Sequence, residues 1–120
     1  MAAAAGAAPP LFDSYAIRTD IVPLRDGVRL ATDVYQPARG GKAAPGRFPV
    51  LVCRTPYNKA GIRGQAIYLA QRGYVVLAQD VRGRFASEGS FYAFVNEGKD
   101  GYDTIEWAAL QPWSNGRVGT

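Results

Sequence analysis

Phe48-Pro49-Val50-Leu51-Val52-Cys53, then Ile62, Ala66, Leu69 and Ala70 at helical spacing, then Tyr74-Val75-Val76-Leu77-Ala78 decide the fold. The two outer runs are apolar without alternation, the pattern of strands covered on both faces. Between them the apolar residues recur on one face of a helix, and Gly73 falls where a helix C-cap is wanted. Strand, helix, strand with doubly covered strands means a parallel sheet whose crossover helix packs on one face.

Upstream, Ile17 to Leu24 and Val28 to Tyr35 flank Asp26-Gly27. That dipeptide tolerates the positive φ angles of a type I′ turn, so the segment is expected to be a hairpin with a two-residue turn at one edge of the sheet. Val28, Leu30, Thr32 and Val34 share one strand face and Arg29 and Asp33 the other, which is expected to be wet. Gln36 to Arg47, with Pro37, Gly40, Gly41, Pro45 and Gly46, reads as an exposed connection with no regular element. Downstream, Gly98, Tyr102, Ile105 and Ala109 line the apolar face of a second helix that Pro112 ends, and Val118 is expected to begin the next strand. The fold class is α/β, a sheet interrupted partway, with residues 1–14 as an Ala/Pro-rich tail and residues 15–120 as one domain.

Composition excludes several classes of function. The chain has 120 residues, 48% hydrophobic and 20% charged, ordinary for a globular protein. Lys and Arg number 14 against 10 for Asp and Glu, but they are scattered singly, so no nucleic-acid partner is expected. One cysteine and no histidine argue against a disulfide framework, a zinc site and metal chemistry generally. Cys53, inside an apolar run, reads as a small buried hydrophobe. The first ten residues lack the basic start and apolar core of a secretory signal, and no stretch is long and apolar enough to span a bilayer. No membrane partner and a cytoplasmic location are therefore expected.

Ligands in open parallel sheets gather at the carboxyl ends of the strands, so Arg54-Thr55-Pro56-Tyr57-Asn58-Lys59 and Gln79-Asp80-Val81-Arg82-Gly83-Arg84 are the segments to weigh. Pro56 holds Thr55 extended, which puts Tyr57 on a turn at that edge. A phenol there could donate a hydrogen bond to the oxyanion formed when an acyl group is attacked, or its ring could simply pack; position alone leaves both open. Arg82 and Arg84 could bind an anion, although an Asp80–Arg pair ordering the loop is commoner. Neither strand is followed by the Gly-x-Gly spacing of a dinucleotide site, and no cofactor is expected. Asp100, Asp103 and Glu106 read as a solvated helix face. Trp107 and Trp113 either border a pocket or fill the junction between helix and sheet.

Four segments in register carry a resemblance. They are Pro23-Leu24-Arg25-Asp26-Gly27-Val28-Arg29-Leu30, Arg54 to Lys59, Gln79 to Arg84 with Ser87-Glu88-Gly89, and Gln111-Pro112-Trp113-Ser114-Asn115-Gly116-Arg117-Val118-Gly119. From about Ile21 onward the chain resembles the N-terminal part of the hydrolase family that includes X-prolyl dipeptidyl peptidases, cocaine-esterase-like enzymes and α-amino acid ester hydrolases. The resemblance implies a partial α/β-hydrolase fold that stops before the nucleophile elbow: an antiparallel hairpin, then parallel strands with crossover helices. It implies a serine in Gly-x-Ser-Tyr-x-Gly beyond Thr120, followed much later by an aspartate, a histidine, a helical cap and a β-sandwich domain. One role carries over to this chain: Tyr57 matches the tyrosine whose hydroxyl forms half of the oxyanion hole.

The expectation is thus the front of a serine acyl hydrolase acting on small acyl esters, amides or short, including X-prolyl, peptides. By itself this length should be inactive, because it lacks the serine and histidine. A rival of another class is a non-catalytic binding or interaction remnant of the same fold. Against it, a parallel sheet cut before its central strands leaves an apolar edge open, and such edges aggregate unless covered. A separately made C-terminal portion docking on that edge is the third possibility.

Overall fold

The computed structural model describes residues 11–55, 59–81 and 97–119, with side chains in the last segment from residue 100 onward. Among the described residues six strands form one sheet: β1 (Ser14–Pro23), β2 (Arg29–Arg39), β3 (Lys42–Ala43), β4 (Phe48–Thr55), β5 (Val75–Asp80) and β6 (Ser114–Gly119). Helix α1 (Arg63–Ala70) connects β4 to β5, and helix α2 (Glu97–Ala109) precedes β6. The strand order is β1-β2-β5-β4-β6, with β3 paired to β2 off this path. As expected, β4 and β5 are parallel, in a register from Val50↔Val75 to Thr55↔Asp80. The hairpin docks on β5 through β2, antiparallel.

Alternation along the strands assigns two faces. Val34, Val50, Val52, Val75 and Leu77 pack against Ala108 of α2 and against Trp113. On the opposite face Tyr35, Val76 and Ala78 pack against Ala66 and Ala70 of α1, with half-buried Cys53 beside them. Burying a valine or leucine side chain contributes about 1.5–3 kcal/mol, so these two layers hold the sheet between its helices. The end of α1 follows the sequence expectation. Tyr74 N–H donates to Leu69 C=O at 3.2 Å and Gly73 N–H to Ala70 C=O at 3.2 Å, a Schellman pattern closed by Gly73 at φ +93°.

Four expectations about the strands and their turns are corrected. The β1–β2 loop holds three residues, since Leu24 N–H donates to Val28 C=O and Gly27 N–H to Leu24 C=O, both at 2.9 Å. Only the last loop position needs the left-handed conformation in such a turn, and Gly27 supplies it at φ +88°. The two-residue turn with positive φ at both positions lies instead at Gly40-Gly41, +58° and +81°, where Arg39 pairs with Lys42. The stretch from Gln36 onward is therefore strand and hairpin rather than irregular connection. The second face of β2 is not wet: Ala31, Asp33 and Tyr35 are buried, because β2 is an interior strand between β1 and β5. Finally, β6 begins at Ser114, four residues before Val118, with an irregularity against β4 between Phe48 and Val50. Gly116, at φ +87°, lies in the extra stretch.

Helix α2 also turns a different face inward. Asp100, Thr104 and Ala108 are fully buried, whereas Tyr102 is 57% exposed. The predicted face of Gly98, Tyr102, Ile105 and Ala109 is wrong because the sheet beneath offers polar partners. Likewise Asp100 and Asp103 are not a solvated face: Asp100 is buried, and Asp103 binds Arg25.

Leu11 to Ser14, assigned to the tail from sequence, are tied to the domain. Leu11 and Phe12 N–H both donate to Gln71 C=O, and Asp13 Oδ1 accepts Gly40 N–H at 3.0 Å. That last bond, with help from Ser14, holds the Asp13 carboxyl below its usual range.

Candidate active site at the carboxyl ends of β4 and β5

The parallel register brings Thr55 and Asp80 side by side at the ends of their strands. Val81 N–H donates to Thr55 C=O at 3.0 Å, so the two chains leave the sheet together. Asp80 is 1% exposed, and its Oδ1 accepts the main-chain N–H of Lys59 at 2.6 Å. Lys59 opens a short 3₁₀ turn, Lys59–Ile62, that leads into α1. Its Nζ reaches 3.4 Å from Asp33 Oδ2, and Asp33 Oδ1 accepts the Thr19 hydroxyl at 2.7 Å. Asp33, Lys59 and Asp80 thus form a polar cluster on the α1 face of the sheet.

A second polar group lies on the α2 face. Gln79 Oε1 accepts Arg54 Nε–H at 2.7 Å, and Gln79 Nε2 donates to Thr32 Oγ1 at 2.9 Å. The Thr104 hydroxyl lies 3.1 Å from Gln79 Oε1 and 2.9 Å from Asp100 C=O, the helical back-bond usual for threonine. Buried polar atoms must be paired, and this cross-strand row is how Gln79, in an otherwise apolar strand, is accommodated.

Tyr57 lies outside the described residues, as do Pro56, Asn58, Arg82, Gly83 and Arg84 and the Ser87-Glu88-Gly89 segment. The expected pairing of Asp80 with Arg82 or Arg84 therefore also falls outside the described residues; the Lys59 amide is one partner of Asp80. Trp113 and Trp107 meet edge to face at 6.0 Å and fill the junction of α2 with the sheet. Cys53 packs with the α1 layer, and burial raises its thiol pKa, as for an inert core thiol. Among the described residues no group of three metal-ligating side chains converges, and no helix is long and apolar enough to cross a membrane.

Sequence reasoning missed Asp33, Lys59 and Gln79 as members of these clusters. Asp33 alternates with apolar residues and so imitates an exposed position. A glutamine directly after four consecutive apolar residues was the available signal for a buried polar row.

An open α/β sheet, helices on both faces and polar clusters at the carboxyl ends of its parallel strands define the class: an α/β fold of the doubly covered kind, in which ligands gather at that strand end. The chain belongs to the family described as X-Pro dipeptidyl-peptidase (S15 family), whose sequence profile matches residues 26–120. It is 40% identical over 113 residues to cocaine esterase of Rhodococcus sp. (strain MB1 Bresler), covering 88% of this chain and 19% of that protein. A CocE/NonD family hydrolase from Staphylococcus aureus superposes with TM-score 0.72 at 27% identity, over 86% of this chain and 22% of that one. An α-amino acid ester hydrolase superposes with TM-score 0.69 at 26% identity, over 99% and 23% respectively. The fold is therefore a partial α/β-hydrolase fold, and the chain spans about a fifth of the length of these relatives.

Proposed function

We propose that this chain is the N-terminal portion of a serine acyl hydrolase that cleaves small esters, amides or short peptides, and that Tyr57 supplies an oxyanion-hole hydroxyl. What supports the reading is the family itself, together with Thr55 and Lys59, the described residues that flank Tyr57 in sequence: Thr55 ends β4, and the Lys59 main-chain N–H donates to Asp80 at the end of β5. A serine of the same polypeptide, activated by histidine and aspartate, attacks the acyl carbonyl carbon. As the C–O π bond opens, negative charge collects on the carbonyl oxygen, and the Tyr57 O–H donates to it. Collapse expels the alcohol or amine, which takes its proton from the histidine, and water then releases the acid by the same steps. The edge strand β6 receives the next strand of the polypeptide, which covers that edge.

The test is fluorophosphonate labelling. A full-length protein carrying this sequence should be labelled at a single serine within Gly-x-Ser-Tyr-x-Gly, while purified 120-residue chain is not labelled and does not hydrolyse p-nitrophenyl esters. Ester turnover by the purified short chain would overturn the reading, and so would a full-length protein that resists the label.

A further inference from the structure

We propose that strand β1 is a self-complementary edge through which two copies of the protein join their sheets, antiparallel, about a two-fold axis passing through Thr19. β1 stands at the end of the strand order, and among the described residues only β2 pairs with it. The pairing with β2 runs without interruption from Ser14↔Ala38 to Pro23↔Arg29, so the strand is long and regular. Such an edge is a template for another chain unless charge, proline, a bulge or a covering element blunts it. Proline stands only at the last position, Pro23. The middle of the strand faces solvent: Thr19 is exposed, Ile17 is 42% and Ile21 49% exposed.

The order Ile17-Arg18-Thr19-Asp20-Ile21 selects a second copy as the partner. Outward from Thr19, each direction meets one charged residue and then an isoleucine, and the two charges are opposite in sign. Antiparallel pairing centred on Thr19 therefore sets Arg18 opposite Asp20 of the partner subunit and Ile17 opposite Ile21 of the partner subunit, each contact made twice by symmetry. Strand alternation sorts these pairs by face. The isoleucines lie on the α1 face, where Ile17 is opposite Tyr35 and Ile21 opposite Ala31 of β2, and the four isoleucines of a dimer form one apolar strip. Arg18 and Asp20 lie on the other face, with Nε 3.0 Å from Oδ2 and side chains 48% and 32% exposed, so two such pairs meet with their signs alternating. Opposite charges and β-branched apolar residues directly across a strand pair stabilise it, and like charges oppose it. Other registers fail on the same rule. Centring the axis on Arg18 or on Asp20 opposes two like charges, and a slip of one residue either way opposes an isoleucine to a charge. β6 lies at the opposite edge of the sheet, so the joint leaves it free for further strands. One strand pair makes a small interface, so the dimer is a weak, concentration-dependent one. None of this depends on the hydrolytic chemistry proposed above.

The test is sedimentation velocity on the full-length protein carrying this sequence, over a range of concentrations. The parent should show a monomer–dimer equilibrium. Arg18→Asp and Asp20→Arg should each raise the dimer Kd at least about tenfold, because each opposes like charges at two symmetric positions. Ile17→Lys, on the other face, should weaken the dimer similarly. Mixed in equal amounts, the Arg18→Asp and Asp20→Arg variants should form a heterodimer with Kd within about threefold of the parent's, since every charge then faces its opposite. That rescue occurs between two chains, so damage to the fold of either variant does not imitate it, and combining both substitutions in one chain should restore the homodimer as well. A parent that stays monomeric up to its solubility limit would overturn the inference. So would a dimer indifferent to both charge reversals, or reversal variants that do not pair when mixed.

Discussion

Arg25 grips Asp103 across the top of α2: Nη2 lies 2.6 Å and Nε 2.9 Å from Oδ1, Nε lies 3.1 Å from Oδ2, and the Arg25 main-chain N–H donates to Oδ2 at 3.2 Å. The pair joins the hairpin loop to a helix 78 positions later in the chain. The Asp103 bond raises the arginine pKa further. Arg25 also lies over the Tyr102 ring, 5.7 Å from its centroid.

Because the grip uses the guanidinium fork, lysine should not replace it. Arg25→Lys and Arg25→Ala should destabilise the protein to similar extents in urea unfolding, and Asp103→Asn should add little to either. High salt should narrow these differences, since Arg25 is largely exposed. A lysine variant as stable as the parent would show that charge alone suffices.

Two glycines should respond oppositely to alanine. Gly73 adopts φ +93°, where alanine is strained although its Cβ would meet nothing nearer than Phe12 Cε2 at 3.7 Å, so Gly73→Ala should cost about 1–2 kcal/mol. Gly64 lies inside α1 with open space around its Cβ position, and Gly64→Ala should stabilise by about 0.4–1 kcal/mol. Urea midpoints of the two variants check the sign of each.

Gln79 is the hub of the row from Thr32 to Arg54 and Thr104. Gln79→Leu removes the acceptor used by Arg54 Nε–H and the donor used by Thr32, and should cost about 3 kcal/mol or more, since each buried polar group left unpaired costs about 1–3 kcal/mol. Thr104→Val, which removes one hydroxyl at the rim of the row, should cost only about 1 kcal/mol. Comparable losses from the two would place the hub elsewhere.

The Cys53 thiol has its pKa raised by burial above the ordinary 9.0, so the folded protein stays protonated where the unfolded chain begins to ionise. Its contribution to stability is complete below pH 9.0 and is lost as pH rises through the folded value. Tyr35, raised first by burial and then by Asp33, adds a decline in the same direction above 10.0. Unfolding free energy should fall above about pH 9, less steeply in Cys53→Ala, and maleimide labelling of native protein at neutral pH should be slow.

The parallel unit was legible because Val50 to Cys53 and Val75 to Ala78 are continuous apolar runs, and Gly73 marked the helix end correctly. What failed depended on neighbours that a local pattern does not contain. Asp33 looked solvent-facing since alternation cannot tell an interior strand with a lysine partner from an edge. The inward face of α2 was misread because Thr104 on that face meets Gln79, 25 residues away in the chain. The turn type at Gly27 followed from strand register, which the Asp-Gly dipeptide does not set. The role proposed for Tyr57 rests on family resemblance, whereas the cluster of Asp33, Lys59 and Asp80 emerged only when the sheet was assembled.

The most direct test of the account is kcat for Tyr57→Phe in the full-length enzyme. Loss of one oxyanion donor, worth roughly 2.7–4 kcal/mol, should lower kcat by about 10²–10³-fold while KM changes little. A variant that turns over at the parent rate would contradict the account, leaving Tyr57 to pack its ring and the oxyanion to find its donors elsewhere.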